Sequence, residues 1–151
     1  MNDLDRVNNA TNVEPERPQN MNAFMKQNKR DTSKEIEIAV TDAFLDSNGE
    51  PIKWKLRSVT SKVYQEIIDK CTSKKGNLDI GKFTKMLAVK SVVFPDLKNA
   101  ELQDSYGVFS EYDLLDAMLS EFREYDNLLT IATKLNESTS IEEQIDQVKN
   151  F

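Results

Sequence analysis

The chain changes its hydrophobic rhythm twice. Glu35-Ile36-Glu37-Ile38-Ala39-Val40 alternates apolar and polar residues, and so does Ile52-Lys53-Trp54-Lys55-Leu56-Arg57. A period of two is that of a half-buried strand. Between them lies Asp46-Ser47-Asn48-Gly49-Glu50-Pro51, whose glycine can take the positive φ that a turn requires. The pattern predicts a β-hairpin over 35–57. Ile36, Ile38, Val40, Ile52, Trp54 and Leu56 fall on one face. Glu35 and Glu37 on one strand oppose Lys53, Lys55 and Arg57 on the other, which favours antiparallel pairing. A lone hairpin is unstable in water, so its apolar face must pack on something.

From there the period becomes helical. Ser61 is a candidate cap for a helix with Val63, Tyr64, Ile67, Ile68 and Cys71 on one face, ending near Ser73-Lys74-Lys75-Gly76. Asp79 can cap the next helix, apolar on most sides through Phe83, Met86, Leu87, Val89, Val92 and Val93, and stopped by Pro95. That helix is expected at the centre of the core. Asn99 to Tyr106 reads as a short helix closed by Gly107. Ser110-Glu111-Tyr112-Asp113 has the form of a capping box opening a helix with Tyr112, Leu115, Met118 and Leu119. Glu121 to Leu135 carries Phe122, Tyr125, Leu128, Leu129, Ala132 and Leu135 on one stripe. Ser138-Thr139 interrupts it, and Ser140-Ile141-Glu142-Glu143 opens a last amphipathic segment with Ile141, Ile145 and Val148 at helical spacing. The expected fold class is α+β: a mainly helical single domain over 21–136 with one N-terminal β-hairpin, a disordered arm over 1–20, and a short amphipathic tail over 137–151.

The arm is expected to be disordered because residues 1–20 are polar and charged, and Pro15 and Pro18 exclude a regular helix. Phe24 and Met25 then stand in a polar, basic stretch beside Lys26, Lys29 and Arg30. They can dock on the chain's own domain or form a partner-binding peptide, and the sequence leaves both open. Composition narrows the function classes. A net charge of −6 and a pI near 4.8 argue against a nucleic-acid partner, which needs a basic face to displace counterions. The apolar run near Met86–Phe94 is too short to span a bilayer, so no membrane is expected. Cys71 is the single cysteine, which fits a reducing compartment. No N-terminal signal peptide is evident.

The residues offer little chemistry. There is no histidine, which removes the usual triads, the usual zinc sites and the commonest general base. Cys71 shares an apolar face with Ile67 and Ile68 and reads as core. Gly49, Gly76, Gly81 and Gly107 are too scattered for a phosphate loop. Glu142-Glu143, and Asp113 with Asp116, read as solvated helix faces rather than acid/base pairs. No catalytic, cofactor-binding or metal-ligating residue is assigned, and the expectation is a protein that is not an enzyme.

Several motifs, taken in order and spacing, carry a resemblance. They are Met21-Asn22-Ala23-Phe24 with Lys26-Gln27-Asn28-Lys29, then Asn48-Gly49-Glu50-Pro51-Ile52-Lys53-Trp54-Lys55-Leu56-Arg57. Val93-Phe94-Pro95-Asp96-Leu97 follows, with Ala100 to Val108, and Leu114 to Leu119 with Glu124-Tyr125. Together the stretch 21–136 resembles the XkdN-like tail assembly chaperones of PBSX-like prophages and phages of Gram-positive bacteria. Where the family often has Pro-Gly before its Glu-Tyr pair, this chain has Glu121-Phe122-Arg123. The resemblance implies a non-enzymatic chaperone that binds the tape measure protein and keeps it soluble in the host bacterial cytoplasm, absent from the mature virion. It also implies a longer frameshifted product that could engage the major tail tube protein, with Lys149-Asn150-Phe151 compatible with a slippery codon run. A structural tail adaptor that stays in the virion is the alternative. Phe24, Met25, Ile141, Ile145 and Val148 are the candidate partner-binding residues, and the oligomeric state is left open.

Overall fold

The computed structural model describes residues 20–137. The expected disordered arm, but for Asn20, and nearly all of the expected tail therefore lie outside the described residues. The chain divides into two compact units, Met1–Thr32 and Ser33–Phe151.

In the first unit, Met21–Phe24 and Lys26–Asn28 form consecutive 3₁₀ turns. The Asn20 side chain accepts a hydrogen bond from the Asn22 N–H (3.1 Å), and Asn28 Nδ2 donates to the Asn22 carbonyl (2.7 Å). Asparagine suits such positions because its short amide can satisfy backbone groups that a turn leaves unpaired.

The second unit is α+β, as expected. Strand β1 (Glu35–Ile38) pairs antiparallel with β2 (Trp54–Arg57), Glu35 facing Arg57 and Glu37 facing Lys55. Arg57 grips Glu35 at 2.6 Å, and Lys55 lies 3.4 Å from Glu35 and 3.9 Å from Glu37. The ion-paired face is thus the one the alternation predicted. The connection is longer than a simple hairpin turn. Asp46 organises its tip by accepting from the N–H groups of Asn48 and Glu50, and Gly49 takes a φ of 77°.

A third strand was not expected. Val92 and Val93, assigned to a helix by pattern, instead form β3 (Val92–Phe94), which pairs antiparallel with the other edge of β2. Pro95 disfavours helical geometry at the residue before it. The β-branched and aromatic side chains suit a strand once a free edge is available. The Phe94–Pro95 bond is cis.

Five α-helices complete the described unit: α1 (Ser61–Cys71), α2 (Ile80–Ser91), α3 (Ala100–Tyr106), α4 (Glu111–Met118) and α5 (Phe122–Asn136). Thr60, not Ser61, caps α1, accepting from Val63 N–H, so that helix starts one residue earlier in phase. It ends at Cys71, ahead of the Ser73–Gly76 turn. Asp79 and Ser110 cap α2 and α4 as their sequence positions foretold, while Asn99, expected as the first residue of α3, is its cap. Gly107 closes α3 in the left-handed conformation, φ 67°.

Side-chain pairs fix how the helices run. Asn136 at the end of α5 meets Ser91 at the end of α2, so α2 and α5 are parallel. Lys90 pairs with Glu111 and Lys85 with Asp116, so α4 is antiparallel to α2. Asp79 N–H donates to the Cys71 carbonyl, folding α1 back against α2. The main core gathers Trp54 and Leu56 from the sheet, Ala88 and Val89 from α2, Leu114 and Leu115 from α4, and Leu128, Ala132 and Leu135 from α5. A second cluster joins Ile67 and Cys71 to Met86 and Leu87. Helix α2 contributes to both, which is the central place its apolar girth predicted.

Two substitutions probe this frame. Trp54 is 2% exposed, so Trp54→Ala is expected to cost roughly 3–5 kcal/mol in urea unfolding. Asn136 accepts from the Val59 N–H (2.7 Å) and donates to Ser91 Oγ (2.9 Å) and the Ala132 carbonyl (2.8 Å). Asn136→Ala strands the half-buried Val59 N–H and is expected to cost roughly 1–3 kcal/mol in the same assay.

Candidate partner-binding surface

The reactive side chains of the described region are occupied structurally. Cys71 is buried, its Sγ 3.4 Å from Met86 Sδ. Asp116 is paired with Lys85 and Glu111 with Lys90, while Asp113 lies in the first turn of α4. Among the described residues no group of cysteine and carboxylate side chains is placed to hold a metal ion. Among the same residues, no helix is long and apolar enough to cross a membrane. What the structure offers a partner is exposed apolar surface.

The first such surface is the segment singled out from sequence. Phe24 is 75% exposed, Met21 equally so, and Met25 48%. The two 3₁₀ turns hold these side chains within a few residues of Lys26, Lys29 and Arg30. None of the residues of these turns is buried, so their apolar atoms remain in contact with water. The other candidates, Ile141, Ile145 and Val148, lie outside the described residues.

The second surface was missed. Because α2 and α5 are parallel and α1 and α4 run against α2, one end of the helical layer collects the starts of α2 and α5 and the ends of α1 and α4. At that end Ile80 is 70% exposed and Phe122 is 77% exposed, with Leu78 beside Ile80 also exposed. Phe122 was expected on the buried stripe of its helix. It is the first residue of α5 and projects past the core that Tyr125 and Leu128 enter. It instead borders a shallow depression lined by Asp116, Leu119, Ser120 and Tyr125. Ile80 is likewise the first residue of α2. The only sequence signal was position: a residue in a helix's first turn can share the stripe's phase and still lie beyond the layer it packs on.

This end is also rich in lysine. Lys70, Lys74 and Lys75 are exposed around the end of α1 and the turn after it. Lys82 donates from Nζ to the Lys70 carbonyl at 3.0 Å, a cation set on the negative end of α1. Asp69 and Asp79 lie in the same region, Asp69 accepting from Gln65 and Asp79 capping α2.

The interior ionisable groups respond to their surroundings in one direction. The Glu111 carboxylate raises the pKa of Lys90 above its ordinary value. Burial raises the phenols of Tyr112 and Tyr125, with Lys85 acting against the rise at Tyr125. All three groups hold their protons more tightly folded than unfolded. Their contribution to stability is therefore complete below the unfolded values near 10 and is lost as pH rises through the folded ones. The urea midpoint is expected to show no loss from these groups up to about pH 10 and a fall above it. Glu111→Gln is expected to shrink that alkaline fall by removing the part carried by Lys90.

The sequence model of a family described as phage XkdN-like tail assembly chaperone protein matches residues 21–149. The phage-like element PBSX protein XkdN of Bacillus subtilis strain 168 is 25% identical over 122 residues, covering 76% of this chain and 82% of that protein. The uncharacterized protein YqbN of the same strain is 25% identical over 112 residues, covering 69% of this chain and 75% of its own length. The crystal structure of YqbN superposes with a TM-score of 0.68 at 25% identity, covering 80% of this chain and 98% of that one.

Proposed function

The chain belongs to the phage XkdN-like tail assembly chaperones, and from that premise we propose that it binds the tape measure protein and keeps it soluble while a phage tail is built. The observation that carries this reading is the exposed Met21, Phe24 and Met25 cluster beside three cations. A long helical client presents apolar stripes that aggregate unless covered. Short apolar segments on a soluble body can cover such stripes reversibly, each contact being modest and many copies acting together. Ile141, Ile145 and Val148 would supply a second such segment. The net charge of −6 would keep coated clients apart.

In this reading the protein is not an enzyme and takes no cofactor. It works in the host bacterial cytoplasm and leaves before the virion matures. A longer frameshifted product would add a module able to recruit the major tail tube protein. Co-expression with the tape measure protein, followed by co-purification, tests the central claim. Phe24→Ser combined with Met25→Ser is expected to weaken the complex by roughly 10-fold or more, as loss of two exposed anchors does. The circular dichroism of the variant is expected to match the parent. Undiminished co-purification of the variant would move the contact elsewhere. Recovery of the protein in purified virions at structural stoichiometry would replace the chaperone with a tail adaptor.

A further inference from the structure

One face of the sheet packs on the helices, and the other carries its ion pairs. Trp54 and Leu56 enter the core, so Lys55 and Arg57 take the opposite face, across from Glu37 and Glu35. Strand β3 adds an aromatic residue to that outer face. Val92 lies opposite Leu56 and packs against the core, whereas Phe94 lies opposite Lys55. Residues two apart on a regular strand share a face. The register shift between Lys55 and Leu56 turns Phe94 to the other one, as a bulge does when it re-aims a side chain. Phe94 is 53% exposed, and Val93 beside it is exposed too. Lys53, exposed and two residues before Lys55, brings a further cation to the same face.

The sequence beyond α5 has the complementary chemistry. Residues 138–148 carry Glu142, Glu143 and Asp146 and no cation, with Ile141, Ile145 and Val148 at i, i+4, i+7 spacing. We propose that residues 141–148 fold back around the edge of β3 onto the outer sheet face of their own chain, apolar side chains on Val93 and Phe94 and acids toward Lys53 and Lys55. The fold-back keeps this second client-binding segment covered until a client displaces it. Chain length selects the site. Asn136, at the end of α5, donates to Ser91 Oγ at 2.9 Å, so the tail departs beside the residue that precedes β3. Phe94 stands three residues beyond Ser91, at most about 10 Å of extended chain, and residues 137–140 span at most about 14 Å. Strand β3 is an edge of the sheet, so the outer face is reached by passing around it alone. The Leu78–Ile80–Phe122 end is instead the whole length of α5 away, about 22 Å at 1.5 Å per residue. Two exposed side chains make a small apolar contact, so the cover opens readily, and salt weakens its charged part. The masking role rests on the tape measure reading, whereas the contact itself needs only this chain.

Cys71 is buried, so a Gln147→Cys variant of the full chain takes a thiol-directed spin label on the tail alone. Nuclear magnetic resonance then reads which amides the label broadens. Signals of residues 54–57 and 92–94 are expected to lose most of their intensity, and those of 78–82 to keep it. A labelled chain mixed with isotope-enriched, label-free chains is expected to leave the signals of the latter intact, because the contact lies within one chain. Phe94→Ser, and separately Glu142→Lys with Glu143→Lys, are expected to abolish the broadening. Both are expected to speed amide exchange of residues 141–148 about 10-fold, as release of a contact closed about nine-tenths of the time does. Circular dichroism checks that Phe94→Ser stays folded, and the glutamate changes lie outside the folded core. Sheet signals that keep their intensity, broadening that survives both variants, or broadening carried between chains would each overturn the fold-back. In co-purification with the tape measure protein, Phe94→Ser is expected to retain at least as much client as the parent, since its tail is already free. Weaker retention by that variant would overturn the masking role. Failure of the parent to bind the tape measure protein, with the broadening intact, would remove the masking role and leave the fold-back standing.

Discussion

The carboxamide of Asn136 is the constraint from which the arrangement of the helical unit follows. One side chain at the end of α5 accepts from the Val59 N–H and donates to Ser91 Oγ and to the Ala132 carbonyl. Ser91 is fully buried, and its hydroxyl donates in turn to the Leu87 carbonyl. A buried polar chain of this kind is tolerated only when each member is satisfied. Among the described residues no buried side-chain nitrogen or oxygen is left without a partner. The link ties the ends of α2 and α5 to the segment that leaves β2. It thereby makes the two helices parallel, and it does so where the backbone passes from α2 into β3. An apolar contact at the same place would be non-directional, whereas a carboxamide with fixed donors and acceptor sets both register and direction.

The parallel pair has a consequence at the far end. Helices α2 and α5 both begin there, and their first residues, Ile80 and Phe122, project beyond the last layer of core. The ends of α1 and α4 arrive at the same place. Lysine is favourable near the end of α1, where unpaired carbonyls concentrate negative charge, and Lys82 meets one of them directly. The same geometry that satisfies α1 therefore sets cations beside exposed apolar side chains. The surface follows from the packing, not from a separate insertion.

How much of this could be read in the sequence depended on range. Capping is local, so Asp79, Ser110 and Gly107 announced their helix boundaries correctly. Thr60 and Ser61 have equivalent hydroxyls, and pattern alone picked the wrong one. The pairing of β1 with β2 was legible because opposite charges alternate in step on both strands. Strand β3 was not, since Val92-Val93-Phe94 is as apolar as the helix before it. Its partner Leu56 lies 36 residues back in the chain. Phe122 was misplaced for a related reason: helical phase tells which side a residue faces, not whether another layer extends that far. Of the candidate site, Phe24 and Met25 were legible as apolar side chains out of keeping with their neighbours. The Leu78–Ile80–Phe122 end exists only once α2 and α5 are known to be parallel.

The apolar surfaces of this protein share a design that suits temporary binding. Phe24 and Met25 stand beside Lys26, Lys29 and Arg30, and Leu78 and Ile80 stand among Lys70, Lys74, Lys75 and Lys82. A purely apolar patch of similar size would bind any exposed stripe, including those of misfolded host proteins, and would aggregate on its own. Cations at the rim bias the choice toward partners with acids beside the stripe and repel those with matching charge. They also keep the apolar area small, so a single contact opens readily and strength comes only from repetition. Reversibility is then a property of the surface itself. Weak contacts of this kind open one at a time when a competitor arrives.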